Sequence, residues 1–310
     1  MAGARTIVVG TRRSALALTQ TGQVIEDLAR IARELGLAYR FETRHIVTKG
    51  DRILDVSLSK VGGKGLFVKE IEQELLSGGI DIAVHSMKDV PHTLEDGLAI
   101  GAVPRRVDPR DALIARGARS IAELPRGARV GTSSLRRMCQ LKAIRPDLRL
   151  EPLRGNIDTR LKKLETEGFD AIILAMAGLK RMGWEDRASA PIPVEACVPA
   201  AGQGALGVEC RADDEELLAL LGRYNDEATA RAVEAERSFL AELNGGCQVP
   251  IGAYAETAGA MIRLTGMIGT PDGETLLKES MEGTDPRLLG RELARRLLRL
   301  GADRILADVR

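Results

Sequence analysis

Cys247 sits in the run Asn244-Gly245-Gly246-Cys247-Gln248-Val249-Pro250, with two glycines before a thiol and a proline three residues after it. Neither helix nor strand packing requires that pattern, so it reads as a loop that presents the sulfur for chemistry. The other cysteines, Cys139, Cys197 and Cys210, form no Cys-x-x-Cys pair with it or with one another, which speaks against a disulfide framework and against a zinc site. None of the three histidines lies in its part of the sequence, so a cysteine hydrolase lacks a base and the thiol is better read as holding a group covalently.

Three turns carry the residue types that bind anions: Gly10-Thr11-Arg12-Arg13-Ser14, Gly131-Thr132-Ser133-Ser134-Leu135-Arg136-Arg137 and Arg154-Gly155-Asn156-Ile157-Asp158-Thr159-Arg160. Each stands where a strand hands over to a helix, and there helix N-terminal N–H groups, hydroxyls and guanidinium forks combine into carboxylate pockets. The plainer reading makes the hydroxyl residues ordinary N-caps and the arginines a solvated face. In His85-Ser86-Met87-Lys88-Asp89-Val90-Pro91, Asp89 is the carboxylate suited to a reacting centre, where its charge stabilises a developing cation. His85 and His92 lack the spacing of a metal pair and are read as structural. Lys60-Val61-Gly62-Gly63-Lys64-Gly65-Leu66-Phe67 fails the nucleotide phosphate-loop pattern at Gly65 and Leu66, and reads as a glycine-rich lid with two lysines.

These residues need a frame that places them. Apolar spacing predicts a strand over 6–10, a helix over 14–35, a strand over 39–47, a helix over 66–76 and a strand over 80–84. After the polar, proline-bearing stretch 104–110 the pattern resumes, with strands over 112–115, 128–131, 148–153 and 171–174 and helices over 134–144 and 157–167. Alternation of this kind implies parallel α/β sheets in two domains of similar size. A glycine-rich turn at 202–205 leads into a strand, and 214–243 is helical with a break near Tyr224-Asn225. Three strands follow over 249–255, 261–268 and 275–281, the last two joined by Thr270-Pro271-Asp272-Gly273, and one helix over 286–305 closes a small α+β domain.

Composition narrows the function classes. The 310 residues carry 45 basic and 44 acidic side chains, a net charge of +1, so no global field draws nucleic acid or an anionic membrane. Aromatic residues make up only 3%, which argues against a stacking platform for single strands. No apolar run reaches spanning length and no signal peptide precedes the first strand, so a cytoplasmic protein is expected.

The ordered set 11–14, 60–67, 85–91, 131–137, 154–160, Ala200-Ala201-Gly202-Gln203-Gly204 and 245–250 resembles the porphobilinogen deaminases, also called hydroxymethylbilane synthases, over about residues 7 to 306. The resemblance implies an α/β fold of two periplasmic-binding-protein-like α/β domains with a third, small α+β domain, a three-stranded antiparallel sheet with helices. Domain 1 would take residues 1–104 and 204–222, domain 2 residues 105–203, and domain 3 residues 223–310 with the cysteine loop. It also implies a transferase in which Cys247 carries one covalent dipyrromethane through a thioether. Four molecules of porphobilinogen lose ammonia in turn and join head to tail on that primer, and hydrolysis releases the linear tetrapyrrole hydroxymethylbilane.

By the same resemblance Asp89 is the catalytic carboxylate. Cys247, Lys88, Asp89, Thr132, Ser134, Arg136, Arg137 and Arg160 hold the cofactor, while Arg12, Ser14, Ser86, Arg154, Arg181 and Gln203 hold substrate. Lys60, Lys64 and Phe67 belong to the lid, and Asp51 is a further contact. No metal and no macromolecular partner is implied, and a monomer is expected. Arg13 and Met138 stand where many relatives carry Gln, and neither departure removes a proposed role. A non-catalytic carboxylate-binding protein with the same two-domain frame is the alternative, and a cysteine acyltransferase is a third reading.

Overall fold

The computed structural model describes residues 5–52, 68–245 and 249–309. They pack as two compact units, one from residues 5–52, 68–106 and 205–230, the other from 107–204 and 231–309.

In the first unit, strand β1 (Arg5–Thr11) turns Ile7 and Val9 into the core. The helix Ala15–Glu34 starts at Ser14, whose hydroxyl accepts the Ala17 N–H at 3.3 Å, and lays Val24, Leu28 and Ile31 against that face. The chain returns as β2 (Tyr39–His45), and after the helix Lys69–Leu76 come β3 (Ile82–Ser86) and β4 (Leu98–Ala102). Counting strands along the chain, β10 (Leu206–Arg211) joins the same sheet, in the order β2-β1-β3-β10-β4. β1 runs parallel to β2 and β3, and β10 antiparallel to both its neighbours. Helices cover both faces: Ala15–Glu34 and Glu215–Tyr224 on one, Lys69–Leu76 on the other over Ile46, Ile80 and Ala83. That double burial explains why Ile82, Ala83 and Val84 are apolar without alternation, Ile82 and Val84 each contributing up to about 1.5–3 kcal/mol on burial.

The second unit holds β5 (Asp111–Ala115), β6 (Arg129–Gly131), β7 (Arg149–Glu151), β8 (Ala171–Ala175) and β9 (Ala190–Ile192), in the order β7-β6-β8-β5-β9. β6 is parallel to β7 and β8, and β5 antiparallel to β8 and β9. The two sheets therefore share one arrangement, with a single antiparallel strand in the fourth place: β10 in the first sheet, β5 in the second. The wholly parallel sheets expected from the alternation are corrected on this point. The same unit contains an antiparallel meander of β11 (Ile251–Ala258), β12 (Met261–Gly269) and β13 (Leu276–Gly283). One face of it packs on Phe239 of the helix Glu227–Glu242, on Leu243 just after it, and on Leu293 and Leu297 of the helix Pro286–Leu297.

The sequence reading omits β4 and β9. Gly101 within β4 and Pro191 within β9 mask the strand signal, and both strands lie at sheet edges, where glycine and proline are tolerated. The expected single helix over 286–305 is also divided. Gly301 takes φ 105°, so the chain leaves the helix Pro286–Leu297 through an irregular turn before Asp303–Val309 begins.

Candidate active site

Because β1 and β3 are parallel neighbours, their carboxyl ends, Thr11 and Ser86, open on one edge of the first sheet. Thr11 is buried and accepts the Thr21 hydroxyl at 2.8 Å, which fixes the start of the turn carrying half-buried Arg12, exposed Arg13 and the capping Ser14. Ser86 Oγ accepts from Gln20 Nε2 at 3.1 Å. A single 3₁₀ turn, Met87–Asp89, follows. The Met87 N–H donates to Ala205 O at 3.0 Å and the Val90 N–H to Met87 O at 3.1 Å, while both side chains are buried. The turn is pinned at its ends, and between them Lys88 is half-buried and Asp89 exposed. Asp89 makes no hydrogen bond or ion pair among the described residues, so its carboxylate oxygens stand open on a rigid support.

In the second sheet the parallel strands β6, β7 and β8 likewise end on one edge. After β6, Thr132 Oγ1 accepts the Ser134 N–H at 3.3 Å, and Ser134 Oγ caps the helix Leu135–Ile144 by accepting the Arg137 N–H. Ser14 and Ser134 are thus half-buried helix caps at the two sheet edges. After β7 come half-buried Arg154 and Arg160, the latter donating from Nε to Gly155 O at 2.8 Å. The helix Met176–Arg181 after β8 brings Arg181 to Gly204 O at 2.8 Å.

Arg136 and Arg137 do not stand open. Both guanidiniums are buried against Asp111, the first residue of β5, which is wholly buried. Arg136 donates to both Asp111 oxygens (2.7 and 3.2 Å) and to Val198 O (2.8 Å). Arg137 donates to Asp111 Oδ1 from Nε (3.0 Å) and from its terminal nitrogen (2.7 Å), and to Ile173 O (2.9 Å). Gln203 Nε2 donates to the same Oδ1 at 2.9 Å and to Pro109 O, while Gln203 Oε1 is buried without a hydrogen-bond partner. Burial alone would raise the Asp111 pKa, but the two guanidinium charges more than offset it and hold the carboxyl far below the usual range. Two guanidiniums against one carboxylate leave an excess positive charge in a dry setting, and the donors that Asp111 does not take go to Val198 O and Ile173 O. A buried excess of this kind calls for an anion.

The backbone around Gln203 is fixed by Gly204, at φ 87°, where an added Cβ would lie 2.7 Å from Val107 O. Gly204→Ala is expected to lower stability by more than about 1 kcal/mol, because both the positive φ and the backbone contact oppose a side chain. A shift of the urea midpoint checks this, and an unchanged midpoint contradicts it.

Burial pushes the Cys139 and Cys197 thiols up to about 12 and Cys210 up to about 11. All three are buried and stay protonated near neutral pH, which leaves them without thiolate chemistry. Cys247, Lys60, Lys64 and Phe67 lie outside the described residues. Asp51 belongs to the short helix Lys49–Arg52. The sequence reading missed Asp111, and its one signal is an acid opening the apolar run Ala112-Leu113-Ile114 directly after Arg110. It also missed Glu209, the partner of His85: His85 Nε2 lies 2.9 Å from Glu209 Oε2, both buried.

The two sheets are alike in build, and each carries hydroxyl and guanidinium side chains at its carboxyl edge. The chain belongs to the porphobilinogen deaminase family, whose members are transferases. Residues 7–219 match the family described as porphobilinogen deaminase, dipyromethane cofactor binding domain, and residues 230–299 match porphobilinogen deaminase, C-terminal domain. The porphobilinogen deaminase of Geobacillus kaustophilus is 58% identical over 307 residues, covering 99% of this chain and 98% of that protein. That of Paenibacillus macerans is 60% identical over 317 residues, covering 96% and 98%. Among solved structures, the Bordetella pertussis BvgS periplasmic VFT2 domain overlays with a TM-score of 0.40 at 15% identity, over 71% of this chain and 86% of that one.

Proposed function

We propose that the chain is a hydroxymethylbilane synthase that deaminates four porphobilinogen molecules and condenses them head to tail on a dipyrromethane held by Cys247. The observation that carries this reading is Asp89, an uncommitted carboxylate on a pinned turn at a sheet edge that also bears Arg12 and Ser14. Each pyrrole of substrate and cofactor brings an acetate and a propionate, which match the guanidinium excess at Asp111. The orphaned Gln203 Oε1 is a buried acceptor suited to an N–H donor. The residues thus fit the group. When bound, the dipyrromethane supplies the nucleophilic pyrrole end that is extended.

The protein's own residues do the rest. As ammonia leaves porphobilinogen, positive charge develops on the pyrrole methylene and ring nitrogen, and Asp89 stabilises it while accepting or relaying a proton. Lys88, Thr132, Ser134, Arg136, Arg137 and Arg160 hold cofactor carboxylates. Arg12, Ser14, Ser86, Arg154, Arg181 and Gln203 orient the incoming substrate. Lys60, Lys64 and Phe67 complete the site as a lid. Attachment at Cys247 is supported by the inertness of the other three thiols.

The three-domain division, at 1–104 with 204–222, 105–203 and 223–310, gives each domain one sheet, although residues 205–230 pack with the first unit and the second and third sheets share the other. The protein is read as a cytoplasmic monomer without nucleic-acid or membrane partner. The balanced charge supports the reading without a nucleic-acid or anionic-membrane partner, and among the described residues no helix is long and apolar enough to cross a membrane. Incubation with porphobilinogen tests the function: substrate is consumed with release of ammonia and a linear tetrapyrrole accumulates. Binding without consumption would favour the non-catalytic carboxylate binder instead.

A further inference from the structure

Directly behind the Asp89 turn, three titratable side chains from three elements are buried together. His85 is the fourth residue of β3, four positions before Asp89; Glu209 comes from the neighbouring β10, and Glu72 from the helix Lys69–Leu76. Glu209 is fully buried, His85 is 6% and Glu72 4% exposed. A carboxylate only accepts, so the 2.9 Å contact requires the hydrogen of His85 on Nε2. Glu209 Oε1 and Glu72 Oε1 are both buried without a hydrogen-bond partner. Two orphaned carboxylate oxygens in one dry region are costly, and a proton retained on one carboxyl removes a charge and supplies a donor.

We propose that His85 and Glu209 are positioning residues for Asp89. This rests on the function proposed above. β3 and β10 also meet where the Met87 N–H donates to Ala205 O, so the His85–Glu209 bond and that backbone bond clamp the same strand end from which Asp89 projects. Burial, then the Glu209 charge, then the Glu95 charge push the Glu72 carboxyl up, with His85 and a hydrogen bond from the Glu95 backbone N–H opposing. Among the described residues, those are the titratable groups that act on Glu72 from β3, β10 and the segment before β4. Arg211 of β10 also reaches this helix, donating to Leu75 O at 2.9 Å and pairing with Asp81.

The test uses cofactor-loaded enzyme, with rates normalised to the loaded fraction. Glu209→Gln is expected to lower kcat roughly 10- to 100-fold with little change in KM, since the reacting carboxylate is displaced while carboxylate binding is not. In an Asp89→Glu background, where the reacting carboxylate is already misplaced, the same change should have little further effect, because coupled residues are non-additive. A normal kcat in Glu209→Gln, or full multiplication of the two effects, overturns the positioning role. If Glu209→Gln does not accumulate, His85→Gln is read against the same two outcomes. A parent enzyme that turns over normally while these variants show no effect sinks only this inference, whereas a parent that does not consume porphobilinogen sinks the function itself.

Discussion

Replacing Asp89 by alanine is expected to reduce kcat for porphobilinogen consumption by at least roughly 10²–10³-fold, the loss typical when one preorganised charge is removed from a developing transition-state charge. The structure explains why the effect should fall on chemistry and not on folding. Asp89 is exposed and makes no bond among the described residues. The turn is held instead by the buried Met87 and Val90 and by their backbone bonds. The variant should melt within about 0.5 kcal/mol of the parent, as exposed substitutions do. Steady-state turnover with a parallel denaturation curve checks both halves. Near-normal turnover would remove Asp89 from the reacting centre, and a large loss of stability would make it a structural residue.

Asp111→Ala is the second large effect, and it falls on stability. Removing the one carboxylate between Arg136 and Arg137 leaves two buried guanidiniums unpaired, which costs about 3–5 kcal/mol. Gln203 loses an acceptor as well. Because the folded pKa of Asp111 is depressed, its contribution is complete above the unfolded value of about 4 and fades only as pH falls toward the folded value. The deficit of Asp111→Ala should accordingly be the same at pH 5 and pH 8. Urea denaturation at both pH values measures it. A deficit below about 1 kcal/mol, or one that shrinks between pH 8 and pH 5, contradicts the cluster as the anchor of the second sheet's anion site.

Elements with long apolar periodicity were legible in the sequence: the helix over 14–35 forms as Ala15–Glu34, and the strands over 261–268 and 275–281 form with an extra residue or two. What periodicity could not carry was pairing across the chain. β5 and β10 are short apolar runs like any other, and their antiparallel insertion into the two sheets depends on where the chain crosses between units. The site divides the same way. Asp89, Ser14 and Ser134 announce themselves by their turns, whereas Asp111 acquires its role only because partners 25, 26 and 92 residues away fold onto it. Glu209 is hidden for the same reason, 124 residues from His85.

Cys247 is proposed as a permanent tether, neither a turning-over nucleophile nor a metal ligand, with catalysis left to Asp89. Intact-mass measurement of the denatured, purified protein tests it most directly. The account predicts one stable adduct with the mass of two pyrrole units on the parent protein, absent from Cys247→Ser. A fully active protein at its unmodified mass, or an adduct that persists in Cys247→Ser, would contradict it.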